Sequence, residues 1–548
     1  MEFNLAAIHE TVEAACPDRP CVTFRDRRLT YREFGDRTRR LANALLDRGF
    51  SVRAERADLE THQSGQDHLA LYLHNGNEYL EGMLGAYKAR VAPFNVNYRY
   101  VAEELEYLLA DSGARGVIFH SAFADTLAEV RDRLPHLTTL WQVADDSGDD
   151  LLEGAEWYED VLAAASPALD ESVTSAWSGD DLYILYTGGT TGMPKGVLWR
   201  QADIWVGALG GRKLGTSDEW ASYEEIAGNA ASGGTKMMPA PPFMHGAAHW
   251  MALNGFGGGN TIVVPAVVDR FDADDVLSHI ESEGVNAVLI VGDAFGRPMV
   301  EAMEAGGHDL RSLLVIVSGG AALSAGVKNR LLAVAPSLMI IDGLGASETG
   351  QQATQVAAGG QNASTGTFAP GPGMCILSED LTRVLAAGHE EPGWLAQAGR
   401  VPLGYLGDAE KSARTFPVID GVRYSVPGDR ARLTDEGLLE LFGRDSVTIN
   451  SGGEKVFAEE VEQALAAHPA VFDVVVCGRP SERWGNEVVA IVQVKAGDTA
   501  TNESLTAEAE RHLARYKLPK RYVFVDKVQR SPSGKADYRW AKEMAALG

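Results

Sequence analysis

Cysteine is scarce in this chain: Cys16, Cys21, Cys375 and Cys477 are the only four in 548 residues. So few, so scattered, exclude a disulfide-built scaffold and a cysteine-rich zinc site. Cys16 and Cys21 are close in sequence, but no histidine pair at ligand spacing completes a metal set. Long apolar runs are missing too. The longest, such as residues 313–317, fall far short of the ~18 residues of a membrane span. The first twenty residues carry acids where a signal peptide carries bases. These absences imply a reducing, cytoplasmic setting with no integral membrane association. Positive charge is in deficit, 49 Lys+Arg against 76 Asp+Glu, for a formal net charge of −27. Such a chain is no general nucleic-acid binder, because nothing neutralises a phosphate backbone over a broad surface. A small anionic ligand is still allowed, since one lysine and a few backbone amides outweigh a distant field.

What is present is a globular composition, 45% hydrophobic and 23% charged. Residues 29–49 have apolar side chains at helical spacing and end at a glycine stop. Residues 69–73 read as a strand and 78–88 as the next helix. Short β-rich runs follow at 116–120, 181–187, 261–265, 287–291 and 313–318, with helical stretches between many of them. That alternation predicts an α/β fold of layered subdomains with substantially parallel sheets. Residues 145–150 and 351–366 are polar and small, so both read as loops. Composition changes near Arg444. Beyond it come a helix at 458–467, strands at 471–476 and 488–495, a further helix before Tyr516 and a last strand at 522–525. The expected division is a large body, residues 1–443, and a small α+β unit, residues 444–548.

The densest chemical signal is the string YTGGTTGMPKG at residues 186–196. Gly188, Gly189 and Gly192 let backbone amides turn toward an anion, Thr187, Thr190 and Thr191 add hydroxyls, and Lys195 adds a mobile charge. Those are the parts of a phosphate cradle. It is not a Walker A loop, because Pro194 precedes the lysine and Gly196 follows it. By composition alone a flexible surface turn is the rival reading. The string resembles the phosphate loop of the AMP-forming adenylate ligases, the superfamily of acyl-CoA synthetases, peptide-synthetase adenylation domains and luciferases. The resemblance covers almost the whole chain.

Further strings in the same order carry it. Residues 344–349 (LGASET) are similar to the second nucleotide motif, which implies that Gly345 and Ser347 face the α-phosphate and that Glu348 helps hold Mg²⁺. Leu344 stands where the family has an aromatic residue against adenine. A helix-starting Ser/Glu capping pair is the other reading; a hydrolase elbow is disfavoured by the spacing. Ser318, Gly319 and Gly320 resemble the adenine-side loop. Residues 424–429 (YSVPGD) resemble the motif whose aspartate, here Asp429, grips the ribose hydroxyls. Arg444 would add a ribose or phosphate contact, and Ser446 takes the hinge position, where a small residue suffices. Ser451, Gly452, Gly453, Glu454 and Lys455 look like the loop that lines the CoA channel, with a surface turn as the alternative. Lys535, in residues 530–535 (RSPSGK), resembles the terminal lysine that contacts the substrate carboxylate and an ATP oxygen. A fixed cation there would stabilise developing charge and orient two anions that repel one another. With Glu348 and Thr187 it forms the expected catalytic set.

Residues 241–250 (PPFMHGAAHW) match the acyl-pocket segment in order. By that resemblance His245, Gly246 and Trp250 belong to the pocket, with Gly292, Gly343 and Leu344 from later in the chain; as a bare sequence the segment also reads as a core aromatic cluster. Small walls leave room for a wide acyl group. Strings at 186–200, 449–456 and 530–543 are closer to one branch, actinobacterial ligases that activate steroid side-chain acids such as 3-oxocholest-4-en-26-oate, beside medium- and long-chain fatty acyl-CoA synthetases. Residues 51–67 look longer and more polar than the family's connection there. The resemblance implies a ligase that takes a small-molecule carboxylic acid, ATP with Mg²⁺ and CoA, and it leaves a homo-oligomer open. Two other readings stay open: an adenylation enzyme that passes the acyl group to a carrier protein, and a catalytically silent nucleotide- or acyl-CoA-binding protein. No protein nucleophile is needed, in keeping with the lack of a convincing Ser-His-Asp or Cys-His set.

Overall fold

The computed structural model describes residues 1–187, 193–359, 364–451, 454–481, 485–530 and 534–547. Its apolar runs pair into sheets much as their patterning predicts. His68–Tyr72, Ala114–His120 and Thr139–Val143 lie in an all-parallel five-stranded sheet with Ala92–Asn95 and Glu156–Trp157. Helices cover it, as parallel crossovers require. The helix Tyr31–Asp47 begins with a capping box, Thr30 Oγ1 accepting from the Glu33 N–H (3.2 Å) and Glu33 Oε2 from the Thr30 N–H (2.8 Å). Its stripe of Tyr31, Phe34, Leu41 and Leu45 is buried against the helix Asn77–Lys88, where Gly85 faces Leu41.

A larger sheet has 15 strands among the described residues. One half is parallel, in the order Pro20–Phe24, Thr261–Val264, Lys236–Pro239, Ala287–Ile290, Val315–Gly319 and Met339–Ala346. From Met339–Ala346 the sheet continues antiparallel through Gly350–Ala358, Thr367–Pro370, Leu439–Arg444 and Asp429–Leu433. Parallel character therefore holds for one half only. The loop expected at 351–366 is also corrected, because Gly350–Ala358 is a strand. Its residues are poor strand formers, but neighbours on both sides satisfy its backbone and its burial of Gln352, Ala353 and Ala357 overrides propensity.

A separate five-stranded sheet comprises Glu454–Val456, Ile449–Ser451, Gly485–Val494, Val471–Ser481 and Arg521–Val525. It has its own core around Val461, Leu465, Val474, Val476 and Val492. Two of its strands are longer than their apolar centres suggested, since Val471–Ser481 and Gly485–Val494 zip together antiparallel. The tight turn Asp445–Val447, which holds Ser446, links the last strand of the large sheet to this small one.

The polar segment 51–67 folds against the turn at 405–408: the His62 carbonyl accepts from the Gly407 N–H (2.9 Å). Arg90 pins it by pairing with both Glu55 (3.0 Å) and Asp181 (2.8 Å). No helix among the described residues is long and apolar enough to cross a membrane. The four cysteines are unpaired, three of them buried.

Candidate active site

The cradle string is the tip of a β-hairpin. Leu182–Thr187 runs antiparallel to Lys195–Arg200, and Thr187 and Lys195 are direct register partners at its mouth. Gly188, Gly189, Thr190, Thr191 and Gly192 lie outside the described residues. Asn95 fixes the hairpin to the acyl segment: its amide donates to the carbonyls of Tyr186 (2.8 Å) and Met244 (2.7 Å), and its oxygen accepts from the Tyr186 N–H (2.8 Å). The Lys195 ammonium lies between Asp111 (3.7 Å) and Asp408 (3.9 Å). Partial burial works against its charge, but Asp111, Tyr107 and Asp408 outweigh this and raise its pKa. Both pairs are long, so a stronger anion can take their place.

The remaining body residues gather at the carboxyl ends of adjacent parallel strands, where ligands of open α/β sheets bind. Residues 240–246 follow Lys236–Pro239, Gly292 follows Ala287–Ile290, and Ser318, Gly319 and Gly320 end or follow Val315–Gly319. Gly343, Leu344 and Gly345 lie in Met339–Ala346. Ser318 Oγ accepts from the Gly292 N–H (3.2 Å), which ties two of these ends together. Gly345 is forced by close approach, since a Cβ there would stand 2.3 Å from the Gly350 carbonyl oxygen. Leu344 packs on the core of Ala353, Phe368 and Leu395.

Ser347 and Glu348 occupy the turn between Met339–Ala346 and Gly350–Ala358, so the helix-cap reading falls. Trp199 Nε1–H donates to the Ser347 carbonyl (2.8 Å) and Ser425 Oγ to the Glu348 carbonyl (2.6 Å). Tyr405 Oη–H donates to Glu348 Oε1 (2.9 Å). Glu348 is thus held at backbone and side chain. One fixed, half-buried carboxylate fits a hard cation such as Mg²⁺, whose other ligands would be phosphate oxygens and water.

His245 caps the helix Gly246–Gly257 and is half-buried; its Nε2 has no partner among the described residues. Burial, then the Lys535 charge, depress its pKa to about 3, so the imidazole is neutral. Behind it His249 Nδ1 bonds the Phe243 carbonyl (2.7 Å) and Nε2 bonds Tyr183 Oη, which also accepts from Trp250 Nε1–H (2.7 Å). Burial holds His249 down at about 4. This relay fixes the Trp250 indole. Gly246 touches the same ring: a Cβ there would lie 3.3 Å from it.

On the opposite side, Asp429 and Arg444 are cross-strand partners, with Arg444 Nε 3.4 Å from Asp429 Oδ1. Lys535 comes from the small unit. Its neighbour Gly534 backs onto Ala294 and Val291, which a Cβ would meet at 3.2 and 3.3 Å. Its chain is further fixed by Arg530, paired with Asp473 (2.6 Å). The Lys535 residue is solvent-exposed. Desolvation of its ammonium and then Arg444 lower its pKa, while Glu348 and Asp429 pull it back up. The structure therefore brings Lys535, Glu348, Asp429, Arg444 and His245 into one electrostatic cluster. It does not bring the hairpin Ile449–Ser451 and Glu454–Val456 into that cluster: Ser451 is buried opposite Gly485. Gly452 and Gly453 lie outside the described residues, and Glu454 and Lys455 are placed only by their backbone.

Trp199 and Ser425 lie within the strings 186–200 and 424–429, with no role assigned to them there; Asn95, Asp111, Tyr405 and Asp408 complete the site without belonging to any string that sequence reading isolated. Only the fold shows them. A cavity of about 550 Å³ between body and small unit borders Gly534 and Pro242; Phe271 and Phe295 line it together with Arg99, Arg270, Lys527 and Arg530 and the carboxylates of Asp473 and Asp526.

Residues 9–406 match the model of the AMP-binding enzyme family, and residues 460–535 that of the AMP-binding enzyme C-terminal domain. The chain is 55% identical over 547 residues to medium-chain acyl-CoA ligase Mig of Mycobacterium avium, covering 100% of this chain and 99% of that one. It is 40% identical over 549 residues to a medium/long-chain-fatty-acid–CoA/3-oxocholest-4-en-26-oate–CoA ligase of Mycobacterium tuberculosis, covering 99% and 96%. In fold it resembles the crystal structure of the anthranilate CoA ligase AuaEII in complex with anthranoyl-AMP, with a TM-score of 0.82 at 21% identity over 100% and 98% of the two chains.

Proposed function

The chain belongs to the AMP-binding enzyme family and is an AMP-forming acid–CoA ligase, and we propose that its acid is hydrophobic, a medium- or long-chain fatty acid or a steroid side-chain acid. The single observation that carries the residue assignments is the convergence of Lys535 on Glu348, Asp429, Arg444 and His245 across two separately folded units. In this reading a carboxylate oxygen of the substrate attacks the α-phosphorus of ATP, the bond to the bridging oxygen breaks, and pyrophosphate leaves. Lys535 holds both anions. Thr187, Lys195 and the loop 188–192 hold the β- and γ-phosphates, and Asp429 with Arg444 holds the ribose. Ser318–Gly320, Gly345 and Ser347 flank the base and α-phosphate. A Mg²⁺ at Glu348 would neutralise the phosphate charge.

The neutral His245 imidazole, with Gly246, Trp250, Gly292, Gly343 and Leu344, walls the acyl group. A neutral ring suits that place, because it brings no second charge to compete for the carboxylate. We place the division of the chain at 443/444. Arg444 still ends the last body strand, so what turns about Ser446 is the chain beyond it, which withdraws Lys535 and presents Ser451–Lys455. The CoA thiolate then attacks the acyl carbon of the mixed anhydride, the bond to the AMP oxygen breaks, and AMP leaves. The apolar Phe271 and Phe295 and the cations Arg99, Arg270 and Lys527 of the interdomain cavity, which Asp473 and Asp526 offset in part, suit a co-substrate with an aliphatic arm and phosphates.

Lys535→Ala is expected to abolish carboxylate-dependent pyrophosphate release while sparing thioester formation from supplied acyl-adenylate and CoA. Full adenylation by that variant would overturn the assignment. A panel of short, long, aromatic and steroid acids, compared by kcat/KM with free CoA as acceptor, tests the substrate class and separates CoA from a carrier protein.

A further inference from the structure

Beside the contact of Gly534 with Ala294 and Val291, the small unit meets the body at a seam where the helix Ala458–Ala466 lies against the strand Leu439–Arg444. Phe457 stacks on Phe442 (5.6 Å between centroids), and Gln463 approaches Gly366, where a Cβ would stand 3.2 Å from its Oε1. Between them the Glu459 carboxyl is pressed onto the backbone of Gly443 and Arg444. Oε1 accepts a long hydrogen bond from the Arg444 N–H (3.4 Å), and Oε2 is buried with no partner among the described residues. A Cβ on residue 443 would lie 2.1 Å from Oε2. Gly443, at φ +118°, is therefore needed both for its conformation and for the space Glu459 fills. We propose that Glu459 is a positioning residue for adenylate formation: its carboxyl docks the small unit on Gly443–Arg444 and thereby holds Lys535 in the site.

The chemistry of the seam gives this docking a proton dependence. Asp429 and Arg444 face Glu459 from the body, with Glu348 and Lys535 beyond them. Glu462 lies one turn on along its own helix, and Tyr538 faces it from Tyr538–Leu547. Burial first, then Asp429, push the Glu459 carboxyl up to about 7 against the pull of Arg444. The docked carboxyl is accordingly protonated near neutrality. Once the unit turns away, Glu459 meets water and regains the ordinary value of about 4.3. A carboxyl raised in the docked state favours docking in full below its ordinary value and loses that preference as pH rises toward 7. Glu462, raised to about 8 by burial and then by Glu459, accepts from the Val476 N–H (2.8 Å) within the small unit and travels with it, so it does not itself touch the seam with Gly443 and Arg444.

The inference rests on the two-step reading above, and the experiment separates the two. For the wild type and for Glu459→Gln, the rate of acid-dependent ATP–pyrophosphate exchange is divided by the rate of thioester formation from supplied acyl-adenylate, from pH 5.5 to 8.5. The wild-type ratio relative to that of Glu459→Gln should fall roughly tenfold between pH 5.5 and 7 and level off above. Glu462→Gln should follow the wild type. A relative ratio constant within about twofold, or a Glu462→Gln variant that loses the pH dependence, overturns the role of Glu459. Lys535→Ala in the same assays distinguishes the failures: if it retains exchange, the two-step reading itself is wrong; if it loses exchange alone while the relative ratio stays flat, only Glu459 falls.

Discussion

At the scale of single residues, the site depends on side chains whose work is to hold others. Tyr405 is the sharpest case, because its hydroxyl is the one donor to Glu348 Oε1 among the described residues. Tyr405→Phe should weaken apparent Mg²⁺ affinity about tenfold in pyrophosphate-exchange titrations and leave the melting temperature nearly unchanged. Below the strand ends, Lys328 and Asp342 form a buried pair (2.7 Å, side chains 1% and 7% exposed) in which Lys328 also donates to the Ser364 carbonyl (3.1 Å). Lys328→Met leaves a carboxylate buried without its cation. It should cost about 3–5 kcal/mol in denaturant unfolding.

The charges assigned to the site, Lys195, Glu348, Asp429, Arg444 and Lys535, were legible because each lies inside a short contiguous string. Tyr405, Asn95 and Asp111 were not, because each reaches the site from a different layer and nothing adjacent in sequence marks it. His245 was legible as a position, but its neutrality was not, since that follows from burial and from Lys535 290 positions away.

Among the elements of the large sheet, the parallel strands at 261–264, 287–290 and 315–319 could be read from apolar runs, whereas Pro20–Phe24, Lys236–Pro239, Met339–Ala346 and the antiparallel half were not. Gly350–Ala358 has glutamines, threonine and alanines in place of a run of branched residues, and its state is decided by the strands beside it. Helix contacts show the same dependence on partners. In Asn77–Lys88, Gly85 has ordinary helical surroundings, yet a Cβ there would lie 2.6 Å from Leu41 Cδ2 and 2.8 Å from its Cβ. Gly85→Ala should therefore destabilise by about 1–3 kcal/mol despite the better helix propensity of alanine. A stabilised variant in thermal melts would mean that the two helices can separate without loss. The segment 51–67, unexplained as a sequence, acquires a place here: it braces the turn 405–408 that supplies both Tyr405 and Asp408.

For the whole molecule, the unequal division matters more than the length. The groups assigned to the adenylate come from both units, so a bound intermediate should join them. With a non-hydrolysable acyl-adenylate analogue, amide hydrogen exchange should slow at residues 343–349, 443–449 and 534–536 together, while the strand Ala114–His120 is unchanged. Protection confined to 343–349 would mean that the ligand does not engage the small unit. The net charge of −27 bears on the same event. Lys195, the lysine of the phosphate hairpin, is already shared by Asp111 and Asp408 before any nucleotide arrives. The hairpin thus behaves as an ion exchanger loaded with the protein's own counter-ions. On the proposed assignment, ATP phosphates bound there would displace the two carboxylates that share Lys195.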